Sequence, residues 1–202
     1  MTFRSIGVFV VAMFLVMVSP AMAVVIIDQE NDEPRSGYND IGTPQWQSFM
    51  QAGDNIAGAA VVINRFGESG TITLSIYDAE PGTGTLIASG SGSVDGLPAS
   101  ADVFFSVFWT AVSVIPETEL FLEVTSDNGS IELVSINSSP YTRGTQYLNG
   151  TPSGKGADLG FRTYSDDAFG ASVPEPGTLL VFGIGLVALS RTRRKVRGSI
   201  LS

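Results

Sequence analysis

Two residue types are missing altogether: the 202-residue chain contains no cysteine and no histidine. Without cysteine there is no disulfide framework, no thiol nucleophile and no lipid-modified N-terminal cysteine, so the chain must fold by packing alone. Without histidine there is no His-based catalytic triad, and with both missing there is no zinc or copper site of the usual nitrogen and sulfur type. Basic residues are scarce away from the two ends. Residues 24–172 hold only Arg35, Arg65, Arg143, Lys155 and Arg162 against 19 acidic residues, a net charge of −14. A surface this acidic argues against nucleic acid or anionic membranes as partners and favours solubility outside the cell or cation binding. Between the ends no stretch carries the period of an amphipathic helix.

What is present is concentrated at the termini. Arg4 precedes the apolar run Ile6 to Val18, and Ser19-Pro20 breaks that run before Ala21-Met22-Ala23, a small-x-small site of the kind signal peptidase cuts. Thirteen helical residues cover about 20 Å, short of a hydrocarbon core of about 30 Å, so residues 1–23 are expected to be a removable signal peptide. The mature chain then starts near Val24.

The other end has three parts: Val173-Pro174-Glu175-Pro176, the uncharged run Gly177 to Ser190, and a basic tail with Arg191, Arg193, Arg194, Lys195 and Arg197. The two prolines fix their own φ and keep Val173 and Glu175 out of the helical region, which holds the tetrad extended as a processing enzyme needs. The basic tail opposes translocation and stops transfer. Fourteen residues make a helix of about 21 Å, short for a permanent anchor and better suited to a transient segment.

In this order the three parts resemble the PEP-CTERM sorting signal of Gram-negative bacteria that make exopolysaccharide. The resemblance covers residues 173–197. It implies an exosortase, a membrane-embedded transpeptidase-like enzyme, as partner, with cleavage at Pro-Glu-Pro and Val173, Pro174, Glu175 and Pro176 as the residues acted upon. The expected route is export across the inner membrane, a stay of helix 177–190 in the bilayer before processing, and then the cell surface or the medium.

Removing both signals leaves 24–172, the length of one domain. Its dominant period is two. Thr71 to Tyr77 and Glu119 to Thr125 alternate without a slip, and further strands are expected at Val24 to Ile27, Gln47 to Gln51, Ala59 to Asn64, Leu86 to Ser89, Val103 to Phe108, Val112 to Ile115, Ile131 to Ile136 and Leu159 to Tyr164. Turn clusters separate them, and Gly90 to Ser100 and Gly144 to Gly156 are expected to be loops. About ten short strands and no helix predict an all-β antiparallel sandwich, jelly-roll-like. Its expected core includes Phe49, Ile72, Leu74, Ile76, Phe105, Val107, Leu120, Leu122, Val124 and Phe161. The segments Gln47-Ser48-Phe49, Gly70 to Asp78, Trp109 and Asp158 to Tyr164 are similar to the choice-of-anchor domains of bacterial surface proteins, themselves laid out like galactose-binding-like jelly rolls. That similarity implies a fold and no activity.

Three functions follow as expectations. A glycosidase would need two carboxylates facing a cleft, and nothing in the sequence pairs any two, so no enzyme is expected. Calcium is a hard cation that takes carboxylates; Asp28, Glu30 and Asp32 are candidate ligands and Asp158 a more remote one, but the cluster precedes Pro34 and has the look of a solvated turn. No other cofactor is expected. Sugars are held by aromatic faces with polar groups at the rim, and Trp46, Tyr141 and Tyr147 are the candidate contacts, with Tyr38 and Trp109 also near strand ends or loops. The leading expectation is a non-enzymatic surface or matrix protein; the alternative is a carbohydrate-binding module that contacts exopolysaccharide. A binder should expose two or more aromatics on one face or rim.

Overall fold

The computed structural model describes residues 24–32, 37–136, 141–153 and 157–169. The expected signal segment, Ala21 and Ala23, the Val173 to Pro176 tetrad, helix 177–190 and the basic tail lie outside the described residues. In chain order the strands are β1 (Val25–Asn31), β2 (Gly37–Asp40), β3 (Gln45–Met50), β4 (Asn55–Asn64), β5 (Thr71–Tyr77), β6 (Leu86–Ser93), β7 (Val103–Ser113), β8 (Glu119–Ser126), β9 (Glu132–Ile136), β10 (Gln146–Leu148), β11 (Thr151–Pro152), β12 (Asp158–Leu159) and β13 (Phe161–Asp166). Among the described residues there is no helix, and so none long and apolar enough to cross a membrane.

Eight strands pair in a nested antiparallel pattern: β1 with β13, β3 with β8, β4 with β7 and β5 with β6. The first and third pairs share a seven-stranded sheet and the other two a six-stranded sheet. Nesting of this kind, folded into two facing sheets, is a jelly roll. The five short strands extend it: β2 and β12 pair with β9 in the larger sheet, while β10 and β11 widen the smaller one beside β3.

Alternation decides what goes inside. Ile72, Leu74 and Ile76 of β5 and Leu120, Leu122 and Val124 of β8 line one inner face, opposite Val61 and Ile63 of β4, Phe105 and Val107 of β7, and Phe161 of β13. All ten residues expected in the core are buried. Phe49 and Phe161 meet across it with ring centroids 6.1 Å apart.

Several boundaries differ from expectation. Strand β1 runs on through Asp28 and Glu30, because Gln29 and Asn31 turn inward and Glu30 pairs with Arg162 on β13; this stretch is strand and not a solvated turn. Strand β7 is continuous where two strands were expected, with a bulge in its pairing to β4 between Ile56 and Gly58. The Gly/Ser run is not all loop, since Gly90 and Gly92 belong to β6. A Cβ at Gly90 would come within 2.5 Å of Val107 Cγ1, and one at Gly92 within 3.2 Å of the Phe105 ring. At Gly90 the facing sheet leaves no room for a side chain, and at Gly92 it leaves little.

First and last strands being neighbours, the two ends of the described body meet. The Val24 N–H donates to Asp167 Oδ1 at 3.1 Å, and the Asp167 N–H donates back to the Val24 carbonyl at 3.2 Å.

Candidate functional site

Strand β3 carries Gln45 and Gln47 on its inner face, with Gln51 just beyond its end; all three are fully buried. Polar side chains enter a core only with partners, and these find theirs in the opposite sheet. Gln47 donates from Nε2 to Asp158 Oδ1 at 2.8 Å and accepts from the Leu159 N–H at 2.9 Å. Gln51 accepts from Thr163 Oγ1 at 2.8 Å, and Gln146 of β10 reaches Ser135 of β9. The second oxygen of Asp158 accepts from the Tyr141 N–H at 2.8 Å. Burial raises the Asp158 carboxyl above its ordinary 3.8, while the hydrogen bonds from Gln47, Tyr141 and Gln146 pull it down. Asp158 is thus a buried acceptor that ties the two sheets together.

The other acidic candidates are also engaged by protein donors. Asp28 takes the backbone N–H groups of Ala52 and Gly53, each at 2.7 Å. Glu30 and Asp32 converge on the guanidinium of Arg162. The register shift between Ile27 and Gln29 interrupts the alternate spacing that made the three look like one cluster. Among the described residues no group of three or more acidic side chains is arranged to hold a metal ion.

The aromatic candidates separate into three environments. Tyr141 turns inward: its hydroxyl donates to Gln29 Oε1 at 2.7 Å and its ring stands edge-on to Phe161 at 5.1 Å. Trp109 packs against the core, with its indole N–H on the Ile56 carbonyl at 3.1 Å. Trp46 and Tyr147 are register partners on the outer face of the six-stranded sheet, stacked at 5.8 Å and 15°. Trp46 is only 7% exposed.

The exposed pair is elsewhere. Tyr38 on β2 and Phe66, just past β4, are 52% and 53% exposed, with centroids 5.9 Å apart at 65°. Phe66 has φ 45°, a left-handed conformation that costs a bulky residue about 1–3 kcal/mol. The turn holds it there: the Phe66 N–H donates to Asn64 Oδ1 at 3.1 Å, and Arg65 clamps the loop by donating to the carbonyls of Leu97 at 3.0 Å and Glu68 at 2.7 Å. Asp102 stands beside the rings, accepting from Asn64 Nδ2 at 2.9 Å and from the Tyr38 hydroxyl at 3.3 Å. Sequence reading missed Phe66, Asn64 and Asp102. The available signal was an aromatic residue set inside the turn cluster from Asn64 to Gly70.

Two half-exposed rings, a fixed carboxylate and an amide at the rim of a jelly roll define a surface suited to polar ligands with an apolar face. The model of the PEP-CTERM protein-sorting motif matches residues 172–195. The chain is therefore an exported protein that an exosortase sorts to the cell surface. Comparison with curated proteins finds no match.

Proposed function

We propose that the mature protein is a non-enzymatic component of the cell surface or extracellular matrix that holds polysaccharide at the Tyr38–Phe66 rim, after signal peptidase cuts behind Ala23 and the exosortase cuts at Pro174-Glu175-Pro176. The observation that carries the reading is the pair of exposed rings, one of them kept in a strained backbone conformation beside Asp102. A pyranose presents C–H groups on one face and hydroxyls at its edge; the rings meet the first, and Asp102 and Asn64 the second. Strain held at a ring that stays half exposed supports a ligand-facing role. A cut behind Ala23 also turns the Val24 N–H into an ammonium 3.1 Å from Asp167 Oδ1, an exposed pair worth up to about 1 kcal/mol that fastens the new terminus to the end of β13.

The test uses protein purified from the cells that process it, sedimented with the polysaccharide those cells shed. Tyr38→Ala with Phe66→Ala is expected to lower the apparent affinity at least about tenfold, the loss of one or two anchoring side chains. Phe66→Gly removes the ring and accepts the positive φ, so it should lose binding while melting no lower than wild type. Unchanged sedimentation in both variants would contradict the reading.

A further inference from the structure

The outer face of the six-stranded sheet carries a second ligand-facing arrangement, built from different residues. Strand register puts Tyr147, Trp46, Glu123, Ser75 and Ser89 in one row across β10, β3, β8, β5 and β6. The next row holds Phe121 and Tyr77. Phe121 lies 6.1 Å from the Tyr147 ring, so the Trp46–Tyr147 stack is buttressed from the side. Carboxylates lie near the stack. Burial is the larger cause of a raised phenol pKa at both Tyr77 and Tyr147; Glu123, the register partner of Trp46, adds to the rise at Tyr77, and Glu119 and Glu80 add to that at Tyr147.

An independent observation points to a ligand here. The indole N–H of Trp46 is the only buried side-chain polar atom among the described residues without a hydrogen-bond partner. An unmet buried donor is destabilising, and native proteins leave few of them without a reason. Trp109 makes the contrast, since its N–H is satisfied by Ile56.

We infer that this face is a second glycan site, selective for amino sugars, in which the sugar packs against the half-buried Tyr147 of the stack, the Trp46 N–H finds its acceptor on the sugar, and Glu123, with Glu119 and Glu80 nearby, draws the ammonium. The ligand class follows from charge: three carboxylates on a domain of net charge −14 repel uronates and sulfated glycans and attract protonated hexosamines. The indole N–H is buried, so a sugar acceptor reaches it only as side chains over the stack move aside. The inference rests on the proposed role in holding polysaccharide but on none of the residues of the Tyr38–Phe66 rim. With both sites, one domain contacts glycan through both sheets and can link two chains.

The two tryptophans allow a direct test. In a ¹H–¹⁵N spectrum of the mature protein, with the two indole signals assigned through Trp109→Phe, a fully deacetylated glucosamine hexamer is titrated in, and cellohexaose serves as the neutral counterpart. The Trp46 signal should move saturably with the glucosamine hexamer and the Trp109 signal should stay. Glu123→Gln should weaken binding about tenfold or more, as loss of a charge-assisted contact does, and added salt should weaken it further. The same response must appear in Tyr38→Ala with Phe66→Ala, so failure of the rim and failure of this face are told apart. A Trp46 signal that moves with neither oligomer, moves equally with both regardless of salt, or moves only when the Tyr38–Phe66 rim is intact would overturn the inference.

Discussion

Phe161→Ala should remove about 3–5 kcal/mol of stability. That is a large part of the roughly 5–15 kcal/mol that holds a domain folded. Phe161 is fully buried and lies where three parts of the fold meet: its ring touches Phe49 from the opposite sheet at 6.1 Å and Tyr141 from the loop before β10 at 5.1 Å. Deletion leaves a cavity that rigid strands on both sides cannot close. Phe104→Ala is the matched control. That ring lies on the solvent side under the Arg162 guanidinium, 3.8 Å from centroid to carbon, and its loss should cost only the cation–π contact, about 0.5–1 kcal/mol, and modest burial. Denaturant unfolding of the two variants, compared at equal m-value, reads the difference; equal destabilisation would contradict the two-sheet packing.

Gln47→Leu should be almost as damaging, and its effect should depend on pH. The substitution removes the donor to Asp158 Oδ1 and the acceptor for the Leu159 N–H at once, stranding a buried carboxylate and a buried amide for about 3 kcal/mol or more. Asp158 already has a folded-state pKa above 3.8 because of burial. A carboxyl raised on folding makes its largest contribution below its unfolded pKa and loses it as pH rises through the folded value. Gln47 hydrogen-bonds the charged form, so without it the folded pKa rises further and the variant's deficit widens with pH. Unfolding free energies should therefore show a gap between wild type and Gln47→Leu that is larger near about pH 7 than near about pH 4. A gap independent of pH would mean that Asp158 is not the group Gln47 serves.

Much of the architecture was legible because alternation is a physical demand of a half-buried strand. Thr71 to Tyr77 and Glu119 to Thr125 lie in β5 and β8 as the pattern put them, and the expected core residues are buried. What escaped was determined by contacts across the sandwich. Gly90 and Gly92 look like loop residues until Val107 and Phe105 press on them. Gln45, Gln47 and Gln146 look like surface until Asp40, Asp158 and Ser135 of the opposite sheet supply their partners. Gly144 to Gly156, expected to be a loop, contains the β10–β11 hairpin; the overlooked signal was Asn149-Gly150, the pair that a two-residue turn with both φ positive prefers, with φ values of 50° and 76°.

The candidate site divides the same way. Trp46 and Tyr147 could be named as aromatics near strand ends, but their stacking follows from the pairing of β10 with β3. Tyr141 could be named too, and tertiary packing turned it inward. The Tyr38–Phe66 rim depends on a residue in positive φ and on Asp102, 38 positions after Asn64, a juxtaposition no local pattern contains.

The central claim is that this acidic jelly roll is the mature product of a chain processed at both ends on its way to the cell surface. The most direct measurement is the intact mass and cell fraction of the protein made in its host, wild type beside a variant with Pro174, Glu175 and Pro176 replaced by alanine. The account predicts a wild-type product that begins at Val24, ends near the tetrad and is found at the cell surface or in the medium, with the variant retained uncut at the inner membrane. Full-length protein in the inner membrane in both cases would contradict it.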